Sequence, residues 1–132
     1  MSAASLLRSF LINSGWDVEN CPIYVNIALP DAPNDVMVIR DESPEITGYF
    51  QMSGQPVMFW RVGLVVRGEN LTVLSSYLSQ ILNLLSALYY WPTGSWVLSS
   101  FTLETVEFLG KEFPESFREI GRITGKLGFS EE

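Results

Sequence analysis

The sequence predicts an α+β protein: a mostly antiparallel sheet of four to five strands, with an N-terminal helix and one long helix packed on one face. Three observations carry that prediction. Within residues 55 to 73, Met58, Trp60, Val62, Leu64 and Val66 fall on one side of an extended strand, and Phe59, Arg61, Gly63, Val65 and Arg67 on the other. Leu71, Leu74, Leu78, Ile81, Leu82, Leu85 and Leu88 then recur at steps of three and four, the spacing of a single helix face about five turns long. Leu6, Leu7, Phe10 and Leu11 repeat that spacing near the start, and Asn13, Ser14 and Gly15 suit a helix end.

The remaining elements follow from turn chemistry. "CPIYVNIALP" is a strand bounded by Pro22 and Pro30, "DAPND" a turn, and "VMVIRDE" a second strand. Residues 43 to 56 hold two prolines and two glycines among Tyr49, Phe50 and Met52, and predict a long apolar loop that a partner orders. Asn70 or Thr72 caps the long helix, and "YYWPTGSW" ends it at Pro92 and turns at Gly94. A strand follows from Trp96, although neither of its alternating sides is cleanly apolar. The last strand, within residues 117 to 129, carries Gly121, Gly125 and Gly128, which predict bulges or a bend. The apolar side of residues 58 to 66 is expected to pack beneath Leu74, Leu78, Ile81 and Leu85. No repeat or linker divides the 132 residues, so a single domain is expected.

Composition narrows the chemistry. The net charge is −7, and the eight Lys and Arg stand singly along the chain, which disfavours direct binding to nucleic acid. There is no histidine and one cysteine, Cys21, so zinc sets, Cys/His pairs and an internal disulfide are outside its means. No apolar run reaches the roughly 18 residues of a membrane span, and the start is too interrupted for a secretory core; a cytoplasmic origin is the expectation. Glu104 with Glu107, and Asp41 beside Glu42, are the nearest approach to a carboxylate pair, and carboxylates at strand ends are ordinarily solvated charges. No phosphate loop is present. The sequence therefore predicts no enzyme, no cofactor and no metal.

Association is the better-supported theme. No charged residue occurs between Glu69 and Glu104, so Ser79, Asn83 and their neighbours give the long helix an uncharged outer face. Small uncharged side chains permit close approach at low desolvation cost. Tyr49, Phe50, Tyr90, Trp91 and Trp96 lie in or beside loops, where they either anchor a partner or roof the core. The second side of the central strand, with Phe59, Arg61 and Arg67, is neither apolar nor ordinarily solvated, and a cover for it is expected. Candidate interface residues are thus Tyr49, Phe50, Met52, Phe59, Arg61, Arg67, Ser79, Asn83, Tyr90, Trp91 and Trp96.

"IYVNIALPDAPNDVMVIRDES", "FWRVGLVVRGEN" and the leucine-striped helix after it resemble the tail terminator proteins of long-tailed bacteriophages, also described as minor capsid or head-to-tail joining proteins. The resemblance spans roughly residues 3 to 90 and rests on the order of elements, the "LPD" turn and a valine-rich strand closing on "VRG". It implies a virion protein, assembled in the bacterial cytoplasm, that forms a six-fold ring on the tail tube. Such a ring stops tube growth, docks the head connector and passes DNA through its lumen. It also implies subunit contacts at the second side of the central strand, the outer helix face and residues 43 to 56. Acidic groups facing a lumen would keep DNA from adhering. Two rival expectations share the composition: another neck or head-closure protein, and a small acidic inhibitor of a basic enzyme.

Overall fold

A computed structural model describes residues 2–31, 34–50, 56–111 and 118–131, with the side chains of 43–50 and 56 excepted. Helix α1 (Ala3–Asn13) starts at Ser2, whose hydroxyl accepts from the Ser5 amide. A carboxylate from the sheet completes this cap, because Asp41 accepts from the Ala4 amide at 2.9 Å and from the Ser2 hydroxyl. Anionic oxygen at a helix N-terminus satisfies amides that have no partner within the helix. Helix α2 (Leu71–Ser86) starts at Asn70, whose side chain accepts from the Val73 amide at 2.9 Å. It buries Leu74, Leu78, Ile81 and Leu85.

The strands are β1 (Ile23–Val25), β2 (Val36–Phe50), β3 (Pro56–Gly68), β4 (Trp91–Thr93), β5 (Trp96–Lys111) and β6 (Glu119–Glu131). They form one sheet in the order β1-β2-β3-β6-β5-β4, antiparallel throughout except for the β1–β2 pair. The expected four to five mostly antiparallel strands with one long helix are therefore incorrect. The sheet is six-stranded and mixed, strand dominates the described chain, and the helices have 11 and 16 residues.

Local chemistry explains the differences. The expected strand through residues 21 to 30 is cut to three residues, because Asn26 adopts φ 54 and leaves the sheet. The chain then returns to β2 in the parallel sense. Of residues 43–50, expected as loop, 43–45 and 49–50 keep their backbone paired with β3, with register shifts at Asp41/Ser43 and Glu45/Tyr49, an edge position where Pro44 is tolerated. "YYWPTGSW" forms a short hairpin, with Gly94 at φ 59. The glycines of β6 do not bulge it, since its register with β3 runs unbroken from Met58–Phe129 to Gly68–Glu119. They admit neighbours instead. A Cβ at Gly121 would stand 3.0 Å from Leu78 Cδ1, and one at Gly125 would stand 2.4 Å from Phe101 Cζ.

Both helices lie on one face. Val62, Leu64 and Val66 of β3 join Leu7 and Leu11 of α1 and Leu74, Leu78 and Ile81 of α2 in one cluster, all buried. Burying each such side chain stabilises the fold by about 1.5–3 kcal/mol. Trp16 closes the corner between the helices: its Nε1 donates to the Cys21 carbonyl at 2.9 Å, and its ring meets Tyr77 at 5.7 Å.

Candidate functional site

Glu104, Glu107, Asp41 and Asp35 each accept hydrogen bonds from neighbouring groups. Glu104 accepts both arms of the Arg61 guanidinium at 2.8 and 3.0 Å, and this hydrogen bonding holds its carboxyl below the ordinary range. Glu107 accepts from Arg122 at 3.1 Å. Asp41 caps α1 and also accepts from Asn26 at 2.6 Å, so the adjacent pair Asp41 and Glu42 is not two like groups in one setting. Asp35 accepts from Arg118 and from the Tyr77 hydroxyl, each at 2.7 Å, beside an open depression of about 390 Å³ lined by Glu19, Asn20, Glu69 and Arg118. Burial, then the bond to Asp35, pushes the Tyr77 phenol up. Burial, with Asp35 and Asp17 adding repulsion, pushes the Cys21 thiol up to about 12, so it holds its proton at neutral pH. Among the described residues no group of three His, Cys, Asp or Glu could hold a metal ion.

The interface residues named from sequence are not brought together in one place. Met52 lies outside the described residues, and only the backbone of Tyr49 and Phe50 is described, paired with Val57 and Pro56 in the β2–β3 ladder. Arg67 is 1% exposed and gives its guanidinium to the carbonyls of Pro30 and Asn34. Arg40 likewise donates to the Ile27 carbonyl, at 3.0 Å. Residues 27–31 and Asn34 therefore lie over the helix-free face, where Leu29 lines a small depression together with Val38, Arg40 and Val65. The expected cover over that end of β3 is the chain's own and not a second subunit. Towards the other end, Phe59 rests over Gly128, and Arg61 is tied to Glu104.

The aromatics divide. Trp91 packs edge-on against Phe10 at 5.5 Å and Trp96 against Phe129 at 5.7 Å, so both roof the core. Tyr89 and Tyr90 stay 85% and 60% exposed, and Tyr90 sits at φ 45. Ser79 and Asn83 are exposed on α2, as are Ser76, Gln80 and Ser86.

One apolar surface among the described residues was not legible as such in the sequence. On β5, Leu103, Val106, Phe108 and Leu109 are between 39% and 56% exposed. Register shifts at Leu98/Ser100, Leu103/Thr105 and Phe108/Gly110 break the two-residue alternation. Counted through those bulges, Leu98, Phe101, Leu103, Val106 and Phe108 pair with Phe129, Leu127, Gly125, Ile123 and Gly121, and so share the helix-bearing face. A single residue skipped at each bulge converts two mixed sides into one apolar side. Between it and α2 lies a cleft of about 330 Å³, lined by Leu82, Leu85, Ser86, Phe101 and Leu103. No helix of the described residues is long and apolar enough to cross a membrane.

No protein-family model matches the sequence, and no curated protein matches it significantly. The site accordingly stands on its own geometry: the apolar side of β5 on the helix-bearing face, beyond the edge of the helix layer and continuous with the uncharged flank of α2.

Proposed function

We propose that this chain is a structural virion subunit that assembles with copies of itself into a ring on a phage tail tube, ends tube growth and joins it to the head connector. The carrying observation is the apolar side of β5, where Leu103, Val106 and Phe108 stand exposed beside a cleft although the chain has two helices with which to cover its sheet. A lone soluble domain rarely leaves so continuous an apolar surface, and a closed ring buries it in every copy. The uncharged outer side of α2 and the exposed Tyr89 and Tyr90 add surface suited to contact at low desolvation cost. The resemblance to tail terminators supplies the assembly: a ring of about six copies, with DNA passing the lumen without specific binding.

Light scattering across a concentration series should give a multimer mass, and negative stain should show annuli. Added to purified tail tubes, the protein should bind tube ends; binding to filled heads instead assigns it to the neck. A mass of one chain at every concentration, with and without tubes, overturns the proposal.

A further inference from the structure

Each lateral edge of the sheet ends in a short strand that covers only part of its neighbour. β1 pairs with β2 at Met37, Val38 and Ile39, while β4 pairs with β5 at Trp96, Val97 and Leu98. Among the described residues, β5 from Ser99 to Lys111 therefore has no strand on its outer side, and neither does β1. On the outer edge of β1 the Ile23 carbonyl accepts from Arg8 Nε at 3.0 Å, an exposed side chain that an incoming strand has to displace; the rest of such an edge, with its unpaired N–H and C=O groups, is a template for another strand.

The register across the sheet sets which residues stand at the same height. One row runs Ile23, Met37, Val66, Gly121, Phe108, and another runs Val25, Ile39, Leu64, Ile123, Val106. Between them runs Tyr24, Val38, Val65, Arg122, Glu107, on the opposite face. The two edges are thus matched at one height, apolar on the helix side and polar-tipped on the other. Their directions match as well: β1 is parallel to β2, and three antiparallel pairings separate β2 from β5, so β1 and β5 run in opposite senses. A second copy rotated into place without inversion presents its β1 antiparallel to β5.

The column beyond β5 is also vacant where β1 would enter it, because β4 occupies only the height of Trp96 to Leu98. Helix α1 lies over β1 and β2, and α2 over β3 and β6, which leaves β5 as the long strand with no helix above it. A neighbour's β1 brings its own α1 to the open side of Val106 and Phe108.

We infer that the β5 edge of one copy receives the β1 edge of the next as an antiparallel continuation of the sheet, with Val25 set beside Val106, Ile23 beside Phe108 and Tyr24 beside Glu107. This rests on the ring reading above and names its subunit contact. The contact uses different edges on the two copies, so it repeats from copy to copy until the rotation closes.

The test is disulfide trapping in a Cys21→Ala background, with Tyr24→Cys and Glu107→Cys made singly and together. Mild oxidation of the double variant should give a ladder of dimer, trimer and higher products on a non-reducing gel, and neither single variant should. A double variant that retains multimer mass in light scattering yet gives no ladder overturns this contact and leaves the ring standing. Dimers from either single variant overturn it in favour of a two-fold contact. A monomeric double variant is resolved by the parent protein: a monomeric parent removes the ring reading itself, and a multimeric parent shows that these two positions lie in the contact. Val106→Lys should keep the thermal midpoint of the monomer while abolishing the multimer; an unchanged multimer overturns the inference.

Discussion

β5 and β6 are neighbours of similar length in one sheet, and they meet opposite fates. β6 carries three glycines, yet nearly every position from Gly121 to Ser130 is buried. β5 carries Leu103, Val106, Phe108 and Leu109, yet beyond Leu98 none of its residues is fully buried. Hydrophobicity along the strand does not decide the outcome; what lies above it does. α2 packs over β3 and β6, and the glycines of β6 let Leu78 and the Phe101 ring come close. The layer stops one strand short of β5. A strand can therefore be core without large side chains and surface with them, and the second case is where the proposed neighbour would supply a cover.

The sharpest way to break this contrast is to make the same substitution on both strands. Leu127→Ala removes a fully buried side chain from β6 and should cost about 2–5 kcal/mol in urea unfolding. Leu103→Ala, its counterpart on the open strand, should cost less than about 1 kcal/mol when measured at concentrations where the protein is monomeric. Equal costs would mean that β5 is covered within the single chain, and the case for a partner there would fail.

Adding atoms probes the same difference from the other side. Gly125→Ala places a Cβ 2.4 Å from Phe101 Cζ and 2.5 Å from the Thr102 carbonyl oxygen. The ring can swing away, but the backbone carbonyl belongs to the ladder and cannot. Overpacking of this kind costs about 1–3 kcal/mol, readable as a lower urea midpoint with an unchanged slope. A neutral result would show β5 sliding freely over β6.

A third contrast lies within α2. Helical periodicity puts Ser79 on the flank shared with Leu82 and Ser86, which line the cleft beside β5, and Asn83 on the outermost line. Ser79→Glu should leave the monomer's thermal midpoint unchanged and weaken association about tenfold, because a charge desolvated at a contact has no partner there. Asn83→Glu should weaken it less. Sedimentation of the two variants at matched concentrations checks the order, and the reverse order would place the contact on the outer line of α2 and away from β5.

How much of this was legible depended on the range of the interactions involved. The period-2 pattern of β3 and the leucine spacing of α2 are local, and Val62, Leu64, Val66, Leu74 and Leu78 are buried together. α1 was also visible, but its cap was not: Asp41 comes from 37 residues away to meet the Ala4 amide. Arg67 is a second long-range case. An arginine in a strand ordinarily signals solvent, and only the return of Pro30 and Asn34 over the sheet makes it a buried donor. β5 failed for a different reason, since each bulge shifts the side-chain parity and hides an apolar side from a strict alternation. Its three register shifts become visible only once β6 supplies the partner against which to count. The uncharged α2 face and the exposed Tyr90 follow from composition, whereas the packing of Trp91 on Phe10 and of Trp96 on Phe129 depends on partners distant in the sequence.

The smallest expected effect concerns the helix-free face, where β5 does make a bond of its own. Glu104 sits at the bulge between Leu103 and Thr105 and reaches past β6 to Arg61 on β3, with oxygen–nitrogen distances of 2.8 and 3.0 Å. The Arg61 hydrogen bond is the chief reason its carboxyl titrates below the ordinary value, with the charges of Arg61 and Lys126 adding to it. A carboxyl whose folded-state value is lowered contributes stability above its unfolded value and loses that contribution as pH falls through the folded one. Both groups are solvated, so the contribution is small and salt-sensitive. Wild type and Glu104→Gln should therefore differ slightly in urea midpoint at pH 7, and the difference should vanish as pH drops below the usual glutamate range, about 4.3. Added salt should shrink it at pH 7. If the two proteins keep the same offset at low pH, the Arg61 link contributes through shape and packing, and the bulge at Glu104 is held by β6 alone.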